Sequence, residues 1–133
     1  MADIGYRSIE VLVTNDTRGN LSLQGVGIGS YCTWVQGETP TQGSILPQYN
    51  PAKWGVYTND VNAAASGQVQ LTGLGSFPVS ITFINNAAGA SSCAFAPNDA
   101  VQGLVQQPDT GDQNHTLFVV QLIPASGSPW IPA

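Results

Sequence analysis

Residues 9–14 read IEVLVT, and their side chains divide by parity: Ile9, Val11 and Val13 form one series, Glu10, Leu12 and Thr14 the other. Successive side chains of an extended strand point to opposite faces, so one face of this segment is wholly apolar. The same period returns in LSLQGVGIG (21–29), where Leu21, Leu23 and Val26 take the inner face, and in QVQLTG (68–73). It returns again in PVSITFINN (78–86), where Val79, Ile81 and Phe83 fall together before an Asn-Asn stop. YCTWVQ (31–36), KWGVYTND (53–60), SSCAFAP (91–97) and VQGLVQ (101–106) add shorter extended segments, and HTLFVVQLIP (115–124) is the most apolar and expected to be central. The glycines of 21–29 predict a bulge or a close backbone approach.

No window sustains a helical period. Short strands at spacings of roughly ten residues, broken by Asn/Gly/Pro turns, predict an all-β fold. The expected architecture is a single-domain antiparallel β-sandwich of about eight or nine short strands over residues 1–133. Its core lies in 8–123, and 124–133 form a flexible Pro/Gly/Ser-rich tail.

Charge narrows the function classes. Charged residues are 8% of the chain, against about 25% in an ordinary soluble domain. Eight acids (Asp3, Glu10, Asp16, Glu38, Asp60, Asp99, Asp109, Asp112) face three bases (Arg7, Arg18, Lys53), for a net charge of −5. Nucleic-acid binding needs several cations to displace counterions from phosphates, so no nucleic-acid partner is expected. A polybasic attachment to anionic lipid fails on the same count. The start, MADIGYRSIE, lacks the basic and apolar regions of a signal peptide, and no stretch has the length of a spanning helix. The expectation is a soluble protein, cytoplasmic or released by a non-conventional route, that acts at target membranes.

Catalytic constellations are not expected. His115 is the single histidine and lies three positions after Asp112, but no GxSxG elbow accompanies it. Glu10 and Glu38 are the only glutamates, and nothing in the sequence pairs them for sugar hydrolysis. The loop aspartates lack the dense spacing of a calcium loop. Cys32 and Cys93, without a CxxC, fit either one disulfide or two buried thiols, so neither a metal nor a cofactor is expected. Sequons at Asn15, Asn20 and Asn114 arise readily in a chain rich in Asn, Ser and Thr. The protein is read as a binder, not an enzyme.

The aromatic residues carry the binding expectation. Tyr31, Trp34, Tyr49, Trp54 and Tyr57 lie within one stretch flanking a long polar loop, GETPTQGSILPQYNP. Trp and Tyr join an apolar body to a polar handle, which suits sugar rings, lipid headgroups and protein partners alike. Trp34 and Trp54 fit either the core or a strand end. The working hypothesis puts both near one end of the sandwich with at least one indole reaching solvent, and Lys53 and Tyr57 supplying hydrogen bonds. The candidate ligand-binding set is therefore Tyr31, Trp34, Tyr49, Lys53, Trp54 and Tyr57.

The order of SIEVLVTNDTRGNLSLQGVGI, YCTWVQGETPTQGSILP, KWGVYTND, NAAASGQVQL and VSITFINN resembles the aegerolysin family, in its acidic bacterial and fungal haemolysin-like branch. The resemblance covers residues 8 to about 123. It implies a β-sandwich without a conventional signal peptide that recognises membrane sphingolipids, often with a larger pore-forming partner protein. The Cys-Gly-Arg-Ser and Asp-Cys-Pro-Trp segments of the mushroom members do not stand in this chain. The alternative is a lectin or interaction sandwich that binds a glycan or a protein through the same aromatic edge.

Overall fold

A computed structural model describes residues 5–87, 91–107 and 114–125. Among these residues ten strands run in the order β1 (Arg7–Asn15), β2 (Leu21–Ile28), β3 (Cys32–Trp34), β4 (Ile45–Leu46), β5 (Pro51–Thr58), β6 (Ala65–Thr72), β7 (Val79–Asn85), β8 (Ser91–Ala96), β9 (Val101–Gln106) and β10 (His115–Pro124). They form two five-stranded sheets, β3-β5-β1-β10-β9 (sheet A) and β4-β2-β6-β7-β8 (sheet B), which pack face to face. The described residues contain no helix.

The all-β sandwich is as expected, with two corrections of detail. The strand count is ten because the polar connection after β3 contributes a two-residue strand, β4, that pairs with Leu21 and Ser22. A segment so short shows no period of two, so sequence alone hides it. The second correction is that β1 and β10 pair in parallel, although every other pair is antiparallel. β10 is internal, but the central strand of sheet A is β1.

Parity placed the core. Ile9, Val11 and Val13 of β1 face Val79, Ile81 and Phe83 of β7 across the sandwich, all fully buried, with Leu21, Leu23, Val69 and Leu71 beside them. Each such side chain contributes about 1.5–3 kcal/mol through removal from water. The glycine-rich β2 carries the expected bulge, with its register to β6 shifting between Leu23 and Gly25. Past the bulge Val26 is only partly buried against the core. Gly67 of β6, outside that segment, is a close approach of its own: a Cβ there would sit 2.8 Å from Phe83 Cε2 and 3.1 Å from Val56 Cγ2. The tail expected to be flexible lies, from residue 126 on, outside the described residues, as do Asp3, Asp109, Asp112 and Trp130.

Cys32 and Cys93 are free thiols, on β3 at one edge of sheet A and β8 at one edge of sheet B. Asn15, the first sequon, is fully buried: its Nδ2 donates to the carbonyls of Gly19 and Leu46, each at 2.9 Å. No helix among the described residues is long and apolar enough to cross a membrane.

Candidate functional site

The strands define two ends. At the upper end β1, β3, β6 and β10 begin and β2 and β5 finish; at the lower end β1 finishes and β5 begins. The six candidate residues do not gather at one of them. Tyr31 and Tyr57 lie at the upper end and Tyr49, in the turn before β5, at the lower. β5 has eight residues, which separates the two ends by roughly 23 Å.

Between the ends, parity sends the β5 side chains apart. Trp54, opposite Val11, points inward and is 5% exposed, a core residue. Trp34 on edge strand β3 is half-buried, its ring centroid 6.5 Å from that of Phe83. Lys53, Gly55 and Tyr57 take the outer face of sheet A. Neither indole therefore projects freely; of the six, Tyr31 and Tyr49 are exposed and Tyr57 is half-buried.

Tyr31 is 77% exposed and Tyr49 72%. Both hold positive φ, 64° and 67°, a conformation that non-glycine residues adopt at a cost of about 1 kcal/mol or more. The turn that carries Tyr31 is closed by Cys32 N–H donating to Gly29 O at 3.3 Å, and Thr58 Oγ1 donates to the Tyr31 carbonyl at 2.8 Å. The backbone is thus fixed while the ring stands in solvent. Tyr6, Ile28 and Val61 are exposed at the same end, on the lead into β1, the finish of β2 and the β5–β6 loop. Beneath them Arg7, 3% exposed, stacks 5.1 Å from the Tyr6 ring and donates from Nη1 to the Ala63 carbonyl. Sequence analysis missed Tyr6, Ile28 and Val61, because single apolar residues beside turns carry no periodic signal. The lower end also exposes Ile45 and Phe77 with Tyr49, but there the charged groups of Asp16, Arg18 and Asp99 accompany them. Among the described residues the upper end adds only Asp60, whose Oδ1 accepts from Asn62 N–H at 2.9 Å within its own turn.

The outer face of sheet A holds a second feature. Glu10 faces outward by parity yet is only 2% exposed. The turn after β3 explains this: Val35 N–H donates to Gly55 O at 2.8 Å, Glu38 N–H to Val35 O at 2.9 Å, and Gly55 N–H to Glu38 O at 3.0 Å. Gly37, with φ of 82°, is the turn's third residue, where glycine supplies the positive φ at no steric cost. Because residue 55 has no side chain, the Glu38 carboxyl crosses over it and hydrogen-bonds Glu10. Lys53 Nζ closes the group at 3.2 Å from Glu10 Oε2. Burial, then the hydrogen bond to and charge of Glu10, push the Glu38 carboxyl up to about 7, against the opposing pull of Lys53. Burial lowers the Lys53 ammonium, but the hydrogen bond and charge of Glu10 outweigh it and leave it raised. The two glutamates that nothing in the sequence pairs are thus paired by the fold.

Other polar groups serve the framework. His115 Nδ1 lies 2.8 Å from the Ser8 hydroxyl, a clip between the parallel neighbours β1 and β10, and Ser8 is buried. Burial alone pushes the Cys93 thiol up to about 11, the reverse of activation. Asp99 accepts from Ser76 N–H at 2.7 Å and Ser76 Oγ at 2.6 Å. No group of three or more potential metal ligands occurs among the described residues. A shallow groove of about 190 Å³ crosses the outer face of β1, β10 and β9, lined by Thr14, Asp16, Leu104, Gln106, Val119 and Gln121. Within it Gln121 Nε2 donates to Asp16 Oδ2 at 2.8 Å.

No protein-family model matches the chain, and no curated protein matches it either. Among solved structures it is similar to IP-1A from Alcaligenes faecalis, with a TM-score of 0.61 and 11% identity over 91% of this chain and 93% of that one. At that identity the likeness is one of fold.

Proposed function

We propose that this protein is a non-enzymatic membrane-lipid-binding module for neutral, sphingolipid-type headgroups, cytolytic or toxin-like in role and working with a larger pore-forming partner. The observation that supports it is the upper end, where Tyr6, Ile28, Tyr31 and Val61 are exposed together and Tyr31 is held out on a strained backbone. An interface of this kind gains from apolar contact while tyrosine hydroxyls stay wet, and it needs no cationic patch. Among the described residues few charged groups there have to be desolvated on docking, which is the cost that disfavours the lower end. The reading agrees with what the resemblance to aegerolysins implies.

A second reading, carbohydrate binding, draws on the outer-face groove. Its Asp16–Gln121 pair, Thr14 and Gln106 offer donors and acceptors around the apolar Leu104 and Val119, a chemistry suited to a neutral sugar. Co-sedimentation with vesicles separates the two. Lipid binding predicts capture by sphingomyelin-containing vesicles that is insensitive to salt and to free saccharides, since no charge pairing is involved. Capture that free saccharide abolishes favours the groove, and no capture by any vesicle contradicts the lipid reading.

A further inference from the structure

We propose that the Glu10–Glu38 pair is a proton-operated latch: one proton held between the two carboxyls clamps the 35–38 turn onto β5, and its loss loosens edge strand β3. The latch stands apart from the lipid reading and does not depend on it.

Among the described residues, the titratable side chains near Glu10 on the outer face of sheet A are Lys53 and Tyr57 from β5, His115 from β10 and Glu38 from the turn. Lys53 places a positive charge 3.2 Å from Glu10 Oε2, and His115 is engaged with the Ser8 hydroxyl. With one proton the two carboxyls and Lys53 sum to zero. Without it two carboxylates lie side by side, Glu10 buried and Glu38 partly exposed, and like charges so placed disfavour joint ionisation.

The mechanical link is short. Glu38 is held to Gly55 through its carbonyl and to Val35 through its amide, so a side chain driven outward pulls directly on the bond from Gly55 N–H. β3 has only three residues and pairs on one side alone. The bonds of the adjoining turn are a large share of what fixes it, and the strand carries Trp34 with Tyr31 at its start. Such a strand belongs to the low-stability end of local opening.

The chain's two glutamates make the test direct, because ¹³C labelling of glutamate carboxyls yields only two signals. Both signals are expected to move together in a step near neutrality, as a coupled pair does. Exchange of the Gly55 amide, corrected for its intrinsic pH dependence, is expected to accelerate across the same step. In Glu38→Gln the amide donates to Glu10 at every pH, so the step disappears and Gly55 stays protected. Two signals that titrate independently near the ordinary glutamate value of about 4.3 overturn the latch. So does Gly55 protection that is unchanged across the neutral step. The wild-type titration decides these points by itself, whether or not the variant folds.

Discussion

Asn85 on β7 donates from Nδ2 to the carbonyl of Ser8 on β1 at 3.1 Å, and so ties sheet B to sheet A at the upper end. Asn15 on β1 makes the matching tie at the lower end, to Leu46 on β4 at 2.9 Å. Each asparagine closes an inward series, Ile9-Val11-Val13-Asn15 and Val79-Ile81-Phe83-Asn85. Apolar burial alone leaves two sheets free to slide, whereas a buried hydrogen bond at each end fixes their relative position. Asn85→Ala is therefore expected to lower unfolding stability by about 1–3 kcal/mol, because the Ser8 carbonyl loses this buried partner. Urea unfolding of wild type and variant measures it.

Trp54 belongs to the core. Trp54→Phe is expected to cost about 1–3 kcal/mol through the cavity opposite Val11, and to leave ligand binding per folded molecule unchanged. Thermal unfolding alongside a binding assay at a temperature where both proteins are folded separates the effects. Weakened binding without loss of stability would return Trp54 to the site.

What the sequence made legible follows from what parity can carry. Alternation assigned Ile9, Val11, Val13, Val79, Ile81 and Phe83 correctly because each strand's inner face is read from its own residues. Extended to Asn15 and Asn85, parity points both inward, but turn chemistry obscures this, since an Asn beside a strand end is ordinarily a turn former. Glu10 was read as outward, and it is; its burial comes from a turn that begins 25 positions later. No local pattern encodes that cover. The one local trace was Gly55, a glycine inside a strand, which marks a close approach without saying of what.

The raised Glu38 carboxyl sets a pH dependence whose sign can be worked out. Its folded value of about 7 exceeds the unfolded 4.5, so the folded state binds more protons between these two values. This group's contribution to stability is fully present below the unfolded value and is lost as pH rises through the folded one. Relative to wild type, Glu38→Gln is therefore expected to gain stability as pH rises across that window and to show no further change above it. Paired melts from acid to mildly alkaline pH test this, and a constant difference between the two proteins would refute it.

Cys93 is expected to react slowly with alkylating reagents in the folded protein. With its thiol pushed up to about 11, the thiolate fraction at about pH 8 is on the order of one in a thousand. Iodoacetamide labelling read by mass spectrometry should modify Cys93 far more slowly in the native than in the denatured chain. Equal rates would show that the β8 edge opens readily.

Tyr31 and Tyr49 are matched controls for the central claim, since both are exposed, both hold positive φ and they lie at opposite ends. Glycine accepts that backbone without strain, so Tyr31→Gly and Tyr49→Gly each remove a ring while keeping the turn. The measurement is the affinity of wild type and both variants for sphingomyelin-containing vesicles, by co-sedimentation at low and high salt. The account predicts that Tyr31→Gly weakens binding by about fivefold to tenfold, the factor for roughly 1–1.4 kcal/mol of lost interfacial contact, while Tyr49→Gly binds as wild type. Unchanged binding by Tyr31→Gly, or a loss confined to Tyr49→Gly, would contradict it.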